Sequence, residues 1–171
     1  MPNMHLNYIA NALVPSSSGH TIPMLDPSDG QPFDAIQRSN AADIDAAVGA
    51  ARQCLDAVWS KLSATERGRL LMRLSAKVAE NAEELALIEQ RDCGKPTRQA
   101  RADTLALVRY FEFYAGACDK LHGDTIPYQD GYTVMTWYEP HGVTGHIIPW
   151  NYPMQIFGRS VGGALAAGNV C

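Results

Sequence analysis

The sequence predicts an α/β protein, and three observations carry that expectation. Apolar residues recur at three- and four-residue spacing through three stretches between Asn40 and Cys118. Residues 132–138 and 143–148 are rich in β-branched and aromatic side chains, which favour strands. A closing helix entered through Pro153 is apolar on nearly all sides, and a strand, a tight turn and a buried helix make the opening half of a βαβ unit.

Taken in order, the first elements are short extended pieces between breakers. Thr21 to Leu25 and Phe33 to Gln37 flank Asp26-Pro27-Ser28-Asp29-Gly30 and predict a small hairpin, with Pro23 confining the first strand to an edge. From Asn40, a good helix cap, Ile44, Val48, Ala51, Leu55 and Val58 form an amphipathic helix. Ser63-Ala64-Thr65-Glu66 fits a capping box, and Leu70, Leu71, Leu74, Val78, Leu85 and Ile88 carry one stripe as far as Cys93-Gly94-Lys95-Pro96. A third helix from about Thr97 buries Thr104, Leu107, Val108, Phe111, Tyr114 and Cys118. The last helix runs through Ala167 with Gly168 as its C-terminal cap, and the second parallel strand expected after it is missing.

Composition narrows the function. The 171 residues suffice for one domain, and 14 basic against 18 acidic side chains give a net charge of −4, so a nucleic-acid partner is not expected. The longest uncharged run, residues 140–158, contains two histidines, Asn151, Gln155 and three prolines, which argues against a membrane span. The first basic residue is Arg38, so no targeting leader is expected and a cytoplasmic location is the default. Cys54, Cys93, Cys118 and Cys171 show no paired spacing and are expected to be reduced thiols.

The turn after Ile148 is the most informative place, because ligands of open α/β sheets bind beyond strand ends at helix N-termini. Asn151 stands there. Its amide could donate to an oxyanion, or it could cap the helix, and capping is the commoner use. Trp150 is more often a core or interface residue than a pocket wall. The glycines match neither the dinucleotide nor the phosphate-loop spacing and suit turns and close helix packing. His141 and His146 should fall on opposite faces of an extended segment, so no metal site is expected. Cys171 reads as a buried small residue opening a strand, while Asp43, Asp45, Glu83 and Glu84 read as solvated first-turn charges.

Ile147-Ile148-Pro149-Trp150-Asn151-Tyr152-Pro153, followed by Ala164-Leu165-Ala166-Ala167-Gly168-Asn169, resembles the N-terminal part of the NAD(P)-dependent aldehyde dehydrogenase superfamily. The resemblance extends back through Asp26-Pro27, Ala46-Ala47-Val48, Glu66-Arg67-Gly68-Arg69-Leu70-Leu71, Glu83-Glu84-Leu85-Ala86 and Gly94-Lys95-Pro96, covering residues 22–171. It implies one partial domain: a hairpin and helical part over 22–122, an oligomerisation arm over 123–141, and the first βα unit of a Rossmann-like cofactor domain over 142–171.

Several roles follow from the resemblance by position. Asn151 is the oxyanion-hole amide. Ile147, Ile148, Pro149 and Trp150 border an NAD or NADP nicotinamide, and Tyr152, Gln155, Ile156 and Arg159 face the aldehyde. Asp92 lies near a monovalent-cation site of some members, with Arg91 beside it, and no metal is expected. Gly158-Arg159-Ser160-Val161 is similar to aryl-aldehyde members, which suggests benzaldehyde or 4-formylbenzenesulfonate as substrate. Family chains continue into a general-base glutamate and a nucleophilic cysteine that these residues lack. The implied function is therefore aldehyde oxidation to the carboxylate by a homo-oligomer of longer chains, with this chain inactive alone. The alternative is a non-catalytic oligomerisation module.

Overall fold

The computed structural model describes residues 4–171 and shows a mixed α/β architecture in which small sheets flank a helical core. Strands β1 (Met4–His5), β4 (Thr21–Leu25) and β5 (Pro32–Gln37) form a sheet in the order β1-β5-β4, so β4 is the edge that Pro23 requires. Between them β2 (Asn7–Ile9) and β3 (Ala12–Val14) make a hairpin whose turn residues, Ala10 and Asn11, both have positive φ. That geometry matches the twist of the strands it joins.

Helix α1 (Ala41–Ala57) starts at Asn40, whose side chain accepts from the Asp43 backbone while the Asp43 carboxylate accepts from the Asn40 backbone. Asp43 is not the solvated charge expected from sequence. It is buried, and it accepts from Ser16 Oγ at 2.6 Å and Ser17 N at 2.9 Å, which ties the segment before β4 to the helix start. The apolar face of α1 is only partly covered: Ile44 and Val48 remain exposed along a groove of about 570 Å³ shared with Ile147, Ile148, Phe157 and Val161.

After a single 3₁₀ turn, Trp59–Lys61, the Ser63 and Glu66 capping box opens α2 (Ala64–Glu80). The single stripe predicted as far as Cys93 is divided at Asn81, where the backbone leaves helical geometry and Asn81 Nδ2 donates to Lys77 O at 2.8 Å. Helix α3 (Ala82–Cys93) therefore starts in a new phase. It buries Ala86 and Glu89 and leaves Ile88 exposed, then ends at Gly94 in the left-handed conformation.

Helix α4 (Thr97–Ala117) is the central element, packed between α2 and α5 (Pro153–Ala166). Leu71 and Val78 of α2, Leu107 and Phe111 of α4, and Ala166 of α5 form one core with Cys118. Close approach depends on glycine. A Cβ on Gly68 would lie 2.6 Å from the Ala115 carbonyl oxygen, and one on Gly162 would lie 2.8 Å from the Tyr114 ring.

Both long strand expectations shrink. Within residues 132–138 only β7 (Val134–Met135) is ladder-paired, to β6 (Thr125–Ile126), and Tyr132, Trp137 and Tyr138 stay exposed. Within 143–148 only Val143 is paired, in a parallel bridge to Val170, with Thr144 N donating to Val170 O at 2.8 Å. The missing second strand thus begins at Val170, across α5. Favourable strand composition becomes a strand only where a neighbouring backbone supplies the ladder, and these two runs find a partner over two residues and one residue respectively.

Two outcomes follow. Gly68→Ala should destabilise the chain by about 1–3 kcal/mol through overpacking, whereas Gly116→Ala, with open space at its Cβ, should gain up to about 1 kcal/mol of helix propensity. Denaturant titration of the two variants against the parent checks the opposite signs. The Ser16 hydroxyl, then the Ser17 and Asn40 backbone N–H groups, hold the Asp43 carboxyl far below the ordinary aspartate range. A depressed folded value means that its stabilisation is complete above the unfolded pKa, near 4, and is lost as pH falls further. Asp43→Asn should therefore melt lower than the parent at neutral pH, with the gap closing in acid.

Candidate active site

The chain leaves residue 148 through Pro149-Trp150-Asn151-Tyr152 and enters α5 with Tyr152 at the N-cap position and Pro153 in the first turn. No side chain caps this helix. The capping role open to Asn151 in the sequence is therefore not taken up, and its amide lies at a helix start whose first N–H groups carry a partial positive charge. Asn151 lines a cleft of about 250 Å³ with Pro149, Tyr152, Gln155, Ile156 and Arg159. The oxyanion candidate and all four aldehyde-facing candidates are thus brought together, because 152, 155, 156 and 159 share one face of α5.

The cofactor-wall candidates are arranged differently. Ile147 is 98% exposed and Trp150 78%, Pro149 is exposed, and Ile148 is half-buried, so they form an apolar ledge facing solvent. Such a ledge fits a flat nicotinamide ring. Among the described residues it adds no cation or glycine-rich loop for a pyrophosphate, so the fit is to one wall of a dinucleotide site.

Beneath the cleft lies a charged cluster that the sequence reading missed. Lys95 Nζ donates to Asp103 Oδ2 at 2.7 Å and also to Glu89 Oε1, while Gln155 Nε2 and Gln99 Nε2 each donate to Asp103 Oδ1 at 2.7 Å. Lys95 Nζ also sits 4.7 Å from the centroid of the Tyr152 ring, within cation–π range. Asp103 is 0% exposed and Glu89 3%. Burial pushes the Asp103 carboxyl up, but hydrogen bonds from Lys95, Gln155 and Gln99 outweigh it and leave the group below the usual range. For Glu89 burial prevails over Lys95 and the value is raised. A signal existed in the sequence: Asp103 falls in the buried register of Ala100, Thr104 and Leu107, and Glu89 in that of Ala86.

Other candidates are placed as follows. Cys93 Sγ donates to the Trp150 carbonyl at 2.9 Å, fastening the end of α3 to the turn, and burial raises its thiol pKa. Cys171 is exposed rather than buried, since Val170 fills the covered strand position before it. All four cysteines are free thiols. His146 bridges Ser160 Oγ at 2.5 Å and Thr144 Oγ1 at 2.9 Å, while His141 is exposed. Arg91 lies over the Phe33 ring and reaches Asp26 at 3.8 Å, and Asp92 is exposed. Glu83 pairs with Arg101 at the surface. Arg159 is exposed and forms no ion pair among the described residues.

The family model described as the aldehyde dehydrogenase family matches residues 13–171. The hydroxyisobutyraldehyde dehydrogenase of Mycolicibacterium austroafricanum is 45% identical over 97% of this chain and 33% of its own length. The crystal structure of a Burkholderia cenocepacia protein assigned as an aldehyde dehydrogenase superimposes with a TM-score of 0.94 at 65% identity, over 96% of this chain and 35% of that one. PnpE in complex with nicotinamide adenine dinucleotide gives a TM-score of 0.92 at 38% identity, over 96% and 34% of the two chains; PnpE from Pseudomonas sp. WBC-3 also matches. This chain spans about a third of the length of the curated relatives it matches. With a family match across nearly its whole sequence, and with Asn151 and the α5 face gathered in one cleft, the chain belongs to the aldehyde dehydrogenase family.

Proposed function

We propose that, as part of a longer protein, this chain supplies the oxyanion donor and one wall of the aldehyde site for NAD(P)-dependent oxidation of an aldehyde to a carboxylate. The observation that carries this reading is Asn151, whose amide is left unused by the uncapped start of α5 and faces the cleft formed by the substrate-side residues. When a nucleophile adds to the aldehyde carbon, the carbonyl oxygen gains negative charge. Asn151 Nδ2 and the positive end of α5 stabilise that charge where it develops. Tyr152 and Ile156 give the aldehyde an apolar contact, and the Ile147 to Trp150 ledge borders the nicotinamide. The bound dinucleotide supplies the hydride acceptor.

The preferred substrate in this reading is an aryl aldehyde with an anionic substituent, because Arg159 shares the cleft and has no carboxylate partner among the described residues. A guanidinium fork matches sulfonate or carboxylate oxygens. The exposed aromatics Tyr132, Trp137 and Tyr138 flank a two-residue ladder, and they favour subunit association through this arm. No helix among the described residues is long and apolar enough to cross a membrane. We place the protein in the cytoplasm.

In the complete protein carrying this chain, Asn151→Ala should lower kcat by about 100- to 1000-fold, the usual loss for one oxyanion donor. Steady-state kinetics with an unchanged melting temperature would support that role; intact kcat would overturn it. Arg159→Met should raise KM for 4-formylbenzenesulfonate about tenfold, the worth of a charge-assisted hydrogen bond, while sparing benzaldehyde. Equal losses on both substrates would assign Arg159 to structure. The 171 residues by themselves should form no NAD(P)H from either aldehyde, and protein-dependent growth of the reduced-nicotinamide absorbance would contradict this.

A further inference from the structure

The Lys95 cluster is costly where it lies. Two carboxylates almost removed from water share one ammonium, and Glu89 Oε2 has no hydrogen-bond partner. A buried cluster of ionisable groups is weak as a source of stability, since apolar residues of similar volume often serve as well or better. Fastening α3 to α4 would need only Glu89, Lys95 and Asp103. The cluster goes further, because Asp103 also holds Gln155 and Lys95 also faces the Tyr152 ring, and both of these line the aldehyde cleft.

Chemistry fixes which way Gln155 is held. Asp103 is ionised, with Lys95 on one oxygen and two amide nitrogens on the other, so it has no proton to give. Gln155 must therefore present its nitrogen to Asp103, and the reverse amide orientation would set a carbonyl oxygen against a carboxylate. Its own carbonyl oxygen takes no partner among the described residues and is what remains for a ligand. Beside it the Arg159 guanidinium offers only donors.

From this geometry we infer that Lys95 and Asp103 are positioning residues which hold Gln155 as a fixed hydrogen-bond acceptor in the cleft, so that an aldehyde carrying a hydroxyl donor is preferred over the otherwise identical aldehyde without one. The inference rests on the aldehyde-binding reading of the cleft. Lys95 and Asp103 touch no substrate in it; they act through Gln155, and through the ring of Tyr152. An ammonium at that ring face also limits how far Tyr152 can turn from the cleft.

The test uses the complete protein and compares kcat/KM for 4-hydroxybenzaldehyde with that for benzaldehyde. Gln155→Leu should reduce the ratio about tenfold, the loss expected for one hydrogen bond from a fixed acceptor, with the change in KM and kcat nearly constant. Asp103→Asn should do the same by releasing Gln155. The double variant Asp103→Asn with Gln155→Glu reverses donor and acceptor, moves the negative charge across the hydrogen bond from position 103 to position 155, and should restore the ratio to within about threefold of the parent. A merely structural cluster would lower the melting temperature in Asp103→Asn and leave the ratio unchanged in all three variants, which would overturn the inference. If Asp103→Asn alone fails to fold, Gln155→Leu reads the acceptor and the double variant reads its positioning: a ratio restored to within about threefold of the parent supports the inference, and one as low as in Gln155→Leu overturns it. A parent protein that oxidises neither aldehyde overturns this inference and the proposed function together. One that oxidises both with no loss of preference in Gln155→Leu overturns this inference only.

Discussion

Helix α4 is the constraint on which the rest of the structure depends. Phe111, fully buried at its centre, contacts the core shared with Leu71 of α2 and Ala166 of α5, and its ring meets Phe157 edge-on at 6.0 Å. Burial of such side chains is the principal favourable term available to a chain of this size, each contributing about 1.5–3 kcal/mol. The same helix presents Leu107, Tyr110 and Tyr114 to Gly158 and Gly162, which lets α5 approach closely. Because α5 carries the cleft face on its first two turns, the packing of α4 sets where that face stands.

A second attachment refines the first. Core packing fixes the axis of α5, but a helix can still rotate or slide a little over apolar neighbours. The hydrogen bond from Gln155 to Asp103 removes that freedom at the end nearest Asn151, and Cys93 adds a tie to the Trp150 carbonyl. These contacts differ in kind from the exposed pairs Arg101–Glu83 and Lys77–Glu80, which are hydrated and contribute little. Buried charge has geometric consequences because its partners cannot be replaced by water.

Uncovered apolar side chains occur on most elements, including Met72 of α2, Leu87 and Ile88 of α3, and Leu105 and Phe113 of α4; those on the face of α1, on the ledge from Ile147 to Trp150 and on the aromatic arm around β7 are the ones that adjoin the candidate site or the two-residue ladder. The chain spans about a third of the length of the curated relatives it matches.

The sequence by itself determined most local elements and which of the candidate residues share one helix face. The Asn40 cap, the Ser63 capping box, the glycine after α3, the Pro23 edge strand and the buried register of α4 are encoded within a few residues, where helix periodicity and backbone preferences act. For the same reason Tyr152, Gln155, Ile156 and Arg159 could be assigned to one face. Tertiary structure alone decided the matters that require a partner distant in sequence. Asn81 divides a continuous apolar stripe, Asp43 is buried by Ser16 and Ser17, and the strand-forming residues 132–138 gain only a two-residue ladder. Asn151 is excluded from capping by the entry of α5 at Tyr152, and Glu89, Lys95, Asp103 and Gln155 meet although they come from three helices and a loop. Periodicity states which face of a helix is apolar, but a hydrogen bond or a ladder needs a second backbone or side chain in place, and only the packed chain supplies it.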